Sequence, residues 1–269
     1  MRAIVLVYAA IVGACVGSFL NVCITRWPEQ LSVVRPRSRC PRCEKPIAWY
    51  DNIPVVSWLV LRGKCRGCAL PISPLYPGVE LLVALVWLAC AWEFGATFFT
   101  LRLAIFATLL VGVAVTDLRT YTIPDGFTIT GFLFLLVTSL LALLLGGSQF
   151  PFAGPVGALL GACTGAGAIA IVGWLGEAAL KKEAMGFGDV TLMAFIGAAL
   201  GPELSLLTVF VGAAIGAVIF LAIVLPVARV RRRDLPQVPF GVFLAPAALV
   251  TLLYGRRMVD AYLTYLAGT

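Results

Sequence analysis

The chain has 269 residues, 61% of them hydrophobic and only 12% charged, and a mean hydropathy of +1.01. Soluble domains carry about twice that share of charge, so the composition excludes an ordinary soluble domain and points to a polytopic membrane protein. With no histidine present, histidine triads and histidine-ligated metals are excluded.

The first apolar run, Ile4 to Ile24, has the look of a secretory signal. It is long, follows only Arg2 and lacks a small-x-small cleavage site, so it reads as a membrane helix retained in the mature chain. Runs of spanning length, about 17–25 residues, place helices near 3–24, 79–95, 98–117, 126–146, 155–180, 187–201, 203–228 and 240–262. Segment 187–201 is short for a span, and Gly201-Pro202 marks its end or a break. The expected fold is an all-α polytopic membrane protein of about eight transmembrane helices with a small tetracysteine loop domain. Its parts are a first helix at 1–24, the loop domain at 25–78 and a membrane domain at 79–269. Gly157, Gly161 and Gly165, and Gly212 and Gly216, recur four apart, the spacing that lets helix backbones approach in lipid.

Loop 25–78 holds Cys40-Pro41-Arg42-Cys43, then 21 residues, then Cys65-Arg66-Gly67-Cys68. Two C-x2-C pairs at this separation match a four-thiolate zinc site, and a metal would supply folding energy that so small a loop lacks. Paired disulfides are the alternative in an oxidising compartment, and a redox C-x-x-C is a second. A cytoplasmic placement and the absence of a thioredoxin-like pattern weigh against both. Cys15, Cys23, Cys90 and Cys163 lie in apolar helices and are expected to be buried small hydrophobes.

Sixteen of the twenty lysines and arginines fall on one side of the eight-helix arrangement. They are nine in loop 25–78, then Arg119, Lys181, Lys182, Arg229, Arg231, Arg232 and Arg233. That side is cytoplasmic by the positive-inside rule, with both termini outside. The net charge of +7 thus follows topology, and no nucleic-acid partner is implied. Anionic lipid headgroups are a further partner for these residues.

Asp117 and Asp189 fall at that same cytoplasmic edge. A carboxylate at a membrane edge is costly without a purpose, and two of them suggest an aspartyl protease. Close carboxylates share a proton, so one serves as acid and the other as base. The base would activate water and the acid would protonate the carbonyl oxygen, with no metal or histidine. The alternatives are that Asp117 is an ordinary interfacial charge and that Asp189 caps a helix. Gly186 and Gly188 flank the second acid and allow close backbone approach. Asp125 sits at a helix start, where negative charge is favoured, and is not assigned to catalysis.

Six segments now stand in order: Gly17-Ser18-Phe19-Leu20-Asn21 through Arg26-Trp27-Pro28; Cys40 to Cys68, with Asn52-Ile53-Pro54 and Ser57 between the knuckles; Tyr76-Pro77-Gly78-Val79-Glu80; Asp117 with Ile123-Pro124-Asp125; Gly186-Phe187-Gly188-Asp189; and Pro239-Phe240-Gly241 through Ala245. Together they resemble the type IV prepilin peptidases, also called prepilin leader peptidase/N-methyltransferases, over nearly the whole chain. The resemblance implies a prepilin or pseudopilin substrate with a short basic leader, cut after a glycine on the cytoplasmic side of the bacterial inner membrane. It implies Asp117 and Asp189 as the catalytic pair. In many members the new N-terminal residue is then methylated with S-adenosylmethionine. Thr191 departs from the family, which commonly has lysine there, and Pro74-Leu75 stands where many members carry a basic residue.

No Rossmann-type glycine loop is present for the methyl donor. Asn21 and Glu80, at the loop's two membrane junctions, are candidates for its pocket. An interhelical hydrogen bond for Asn21 and a helix-dipole contact for Glu80 are equally open. Two alternative functions are a peptidase without methyl transfer and a transporter with a zinc-clipped loop. Acids at one face rather than mid-membrane weigh against transport. Presenilin-type intramembrane proteases share only Gly-x-Gly-Asp, which leaves the cysteine loop unexplained.

Overall fold

The computed structural model describes residues 2–148, 150–181, 185–227 and 238–267. Lys182, Arg229, Arg231, Arg232 and Arg233 of the charge pattern lie outside these residues. The described residues are helical, without strands; two isolated bridges occur in the cysteine loop. The helices are α1 Arg2–Arg26, the short α2 Val56–Val60, α3 Leu75–Phe94, α4 Phe98–Thr120, α5 Asp125–Leu144, α6 Pro155–Leu180, α7 Phe187–Ile219 and α8 Gly241–Ala267. Helix α3 begins four residues earlier than expected, because Pro77 falls in its first turn, where no N–H partner is lost.

Among the described residues, seven helices are long and apolar enough to cross a membrane. The helical run from Phe187 to Val227 has 41 residues, which at 1.5 Å per residue is about 60 Å, twice a bilayer core. It is not one rod. Gly201 has φ 79° and ψ 177°, a conformation open to glycine, and Pro202 follows. Contacts on either side show that the chain turns back there. Before the corner, Gly161 and Gly165 of α6 meet Gly197 and Met193. After it, Leu204 meets Gly255, Thr208 Oγ1 bonds Thr251 Oγ1 at 2.6 Å, and Gly216 meets Phe243. Ile123 lies against both Gly188 and Gly241, and Phe243 lies against Gly216, so both ends of the run sit at the start of α8. The two halves of α7 are therefore antiparallel, in line with separate helices at 187–201 and 203–228. The first half, residues 187–200, is only about 21 Å long.

The chain divides into two compact units, Met1–Gly112 and Val113–Thr269. In the first, α1 and α3 run antiparallel in close contact. A Cβ on Gly17 would lie 2.8 Å from Glu80 Cα, and one on Gly13 3.0 Å from Ala84 Cα. In the second, α6 and α7 meet through glycine backbones, and a Cβ on Gly161 would run into the Gly197 carbonyl. The expected glycine ridge is thus a packing surface, matched on α7 by Gly197. The core of this unit holds Phe127, Leu135, Phe195, Ile196 and Leu244, all fully buried. One expectation fails at two residues: Cys23 and Cys90 are buried, but Cys15 and Cys163 are exposed. Arg102 lies within α4 and is 2% exposed.

Candidate active site and metal centre

Three segments of the second unit build the carboxylate site. Helix α4 ends one turn after Asp117, where Tyr121 takes a positive φ of 54° and its N–H bonds the Asp117 carbonyl. Residues Thr122 to Pro124 then lead into α5, whose first turn carries the exposed Asp125. Helix α7 starts at Phe187, with Gly186 as its extended N-cap. Asp189 is therefore the third residue of the helix and not its cap. Its N–H bonds the Gly186 carbonyl at 3.1 Å, and its carboxyl sits where the helix dipole favours negative charge.

Ile123 is the wedge between the segments. A Cβ on Gly188 would lie 3.0 Å from Ile123 Cβ, and one on Gly241 3.0 Å from Ile123 Cδ1. The same Cβ on Gly241 would lie 2.7 Å from Asp117 Oδ2. The start of α8 is thus laid directly on the first carboxyl group, with the Gly241 and Val242 amides facing it. Asp117 is 5% exposed, and its Oδ2 has no hydrogen-bond partner among the described residues. Asp189 is half-buried and close enough to Asp117 for the two charges to act on each other. A buried carboxyl oxygen without a partner calls for an explanation in a folded protein. Gly241 was visible in the sequence only as part of a motif; the contact with Asp117 was not.

In the first unit the four cysteines of the loop come together. Their sulfurs lie within 4.8 Å of one another, with Cys40 Sγ and Cys68 Sγ 3.9 Å apart, and no disulfide joins them. Tetrahedral zinc with Zn–S near 2.3 Å needs sulfurs about 3.8 Å apart, so the residues fit that ion with small adjustment. The two knuckles are copies of one turn. Cys40 N–H bonds Lys45 O, Glu44 N–H bonds Cys40 O, and Ile47 N–H bonds Ser38 O. Twenty-five residues on, Cys65, Leu70, Ala69, Ile72 and Gly63 repeat every bond. N–H groups of Cys43 and Arg42 pull the Cys40 thiol down to about 6, toward the thiolate a metal requires. Asp51 accepts two bonds of 2.7 Å from Arg66, which lies inside the second knuckle, and this holds the Asp51 carboxyl below its ordinary range.

The Bacterial Peptidase A24 N-terminal domain matches residues 11–94, and the Type IV leader peptidase family matches residues 103–221. The chain is 36% identical to a prepilin leader peptidase/N-methyltransferase of Aeromonas hydrophila, over 93% of this chain and 90% of that protein. The chain belongs to the type IV leader peptidase family. A Pseudomonas aeruginosa protein of the same name is 33% identical over 95% of this chain and 92% of its own. One from Myxococcus xanthus is 44% identical over 72% of this chain, and the match spans 56% of that relative. No solved structure matches.

In this leader peptidase family member the remaining candidates fall as follows. Asn21 is buried and its Nδ2 bonds the Tyr76 carbonyl at 2.9 Å, tying α1 to the start of α3. Glu80 Oε2 accepts the Val55 N–H at 2.7 Å, tying α3 to the loop. Neither lines the nearby cavity between α1 and the loop. Thr191, at the position where lysine is common, bonds the Gly188 carbonyl at 3.0 Å within its own helix.

Proposed function

We propose that this member of the family is a membrane aspartyl endopeptidase acting at the cytoplasmic face of the bacterial inner membrane. It removes the basic leader of type IV prepilins or pseudopilins after a glycine and then N-methylates the new N-terminal residue. The observation that carries the reading is the buried, unpartnered Oδ2 of Asp117 beside Asp189.

The chemistry follows from two carboxyl groups with one proton between them. The ionised carboxylate takes a proton from water as the water oxygen bonds to the scissile carbonyl carbon. The protonated partner gives its proton to the carbonyl oxygen, forming a neutral tetrahedral diol. As the diol collapses, the C–N bond breaks, the proton held by the first carboxylate passes to the leaving nitrogen, and a hydroxyl proton returns to the second. The pair regains its starting state. Close packing of α8 on Asp117 keeps bulk water from competing at that carboxyl. Cys40, Cys43, Cys65 and Cys68 would hold a structural Zn²⁺ and no reacting group. Bound S-adenosylmethionine would supply a methyl group to the new amine, which loses a proton in exchange.

The test is cleavage of a prepilin by the purified protein. Asp117→Asn and Asp189→Asn are each expected to lose about 10²-fold or more in rate, the usual worth of a positioned acid or base. Wild-type cleavage by either folded variant would remove that aspartate from the mechanism.

A further inference from the structure

We propose that the cavity between α1 and the cysteine loop is the binding site for S-adenosylmethionine. This rests on the methyl-transfer reading above. The cavity measures about 760 Å³, inside the range of roughly 300–1,000 Å³ typical of small-molecule sites. Ser18, Phe19 and Arg26 line it from α1, and Arg37, Trp49 and Asn52 line it from the loop.

Two observations single it out. The peptidase chemistry uses no residue from the stretches Gly17 to Pro28 or Asn52 to Pro54, yet both converge on this one cavity. Asn21 fixes the α1 wall to α3, and Glu80 fixes Val55, beside the lining Pro54. Val55 has a positive φ of 62°, and the Val56 N–H bonds the Pro54 carbonyl at 2.6 Å. This is the tight γ-turn geometry, which a β-branched residue adopts only when held. The loop wall is thus shaped against local preference.

The lining chemistry fits the donor. Its carboxylate suits a guanidinium, and Arg37 makes no ion pair among the described residues. Arg26 uses one nitrogen on the Ser32 carbonyl and keeps other donors free. The faces of Phe19 and Trp49 suit both a stacked adenine and the diffuse positive charge of a sulfonium. Ser18 and Asn52 offer partners for ribose hydroxyls and the donor amine.

The experiment is equilibrium dialysis of S-adenosylmethionine against the purified full chain in detergent, with methylation of cleaved pilin measured alongside. Arg37→Ala and Asn52→Ala are each expected to weaken binding by about ten-fold or more. Arg39→Ala removes a neighbouring loop charge outside the cavity and is expected to bind as wild type. Equal binding by all four folded proteins overturns the site, whatever the methylation result. So does an equal loss in Arg39→Ala, which would make the effect one of loop charge. A wild type that neither binds nor methylates overturns the methyl-transfer reading itself, and the site with it. A wild type that methylates while the cavity variants bind normally overturns the location alone.

Discussion

A methyl group on Gly241 would fall 2.7 Å from Asp117 Oδ2 and 3.0 Å from Ile123 Cδ1. Neither neighbour is free to retreat, since Asp117 is buried at the last turn of α4 and Ile123 is wedged against Gly188. Gly241→Ala is therefore expected to displace the carboxyl by tenths of an ångström and to slow prepilin cleavage on the order of 10- to 100-fold, as small misplacements do. Zinc content and membrane insertion should stay unchanged. A rate within two-fold of wild type would mean that α8 can shift without moving Asp117. The two aspartates were legible in the sequence because an acid at a membrane edge stands out against so apolar a chain. Gly241 was not, because a close approach between residues 117 and 241 leaves no mark on either local sequence.

At the scale of elements, the cysteine loop stands on its two knuckles. Few of its side chains are buried: Cys40 and Ser57 are, while Trp49, Val56, Leu59 and Val60 are exposed. With so little apolar burial, four thiolates on one ion would be the main source of order. The purified protein is expected to carry one zinc per chain by elemental analysis. Removing it with a strong chelator, or by Cys65→Ser, should open residues 25–78 to proteolysis while the membrane helices stay protected. A loop that resists protease equally with and without metal would show that the Asp51–Arg66 pair and the Glu80 tie suffice. The C-x2-C spacing made this cluster readable in advance. The matched hydrogen bonds of the two knuckles follow a longer repeat, a basic residue and then Cys-x2-Cys-x2-Pro-Ile, at 39–47 and 64–72.

At the scale of the whole molecule, the passage count rests on the corner at Gly201. Because α7 turns back there, eight crossings are expected, with residues near Arg2 and Ala267 emerging on one side and loop 25–78 on the other. Single cysteines placed at these points, in a chain whose exposed Cys15 and Cys163 are replaced, should react with an impermeant thiol reagent from the outside only at the two ends. Labelling of the two ends from opposite sides would make α7 a single pass.

Composition alone determined that the chain lies in a membrane, because about 30 Å of hydrocarbon admits only helices or closed barrels and the apolar runs have helical length. Residue spacing determined the thiolate cluster, and the charge of two acids at helix ends marked the carboxylate pair. Tertiary structure alone decided that α8 covers Asp117, and that Asn21 and Glu80 hold the walls of a cavity rather than line it. The division has a physical cause. Partition into lipid and metal ligation are set by residue type and local spacing. Which backbones meet depends on glycines far apart in sequence, whose partners are known only once the helices have packed.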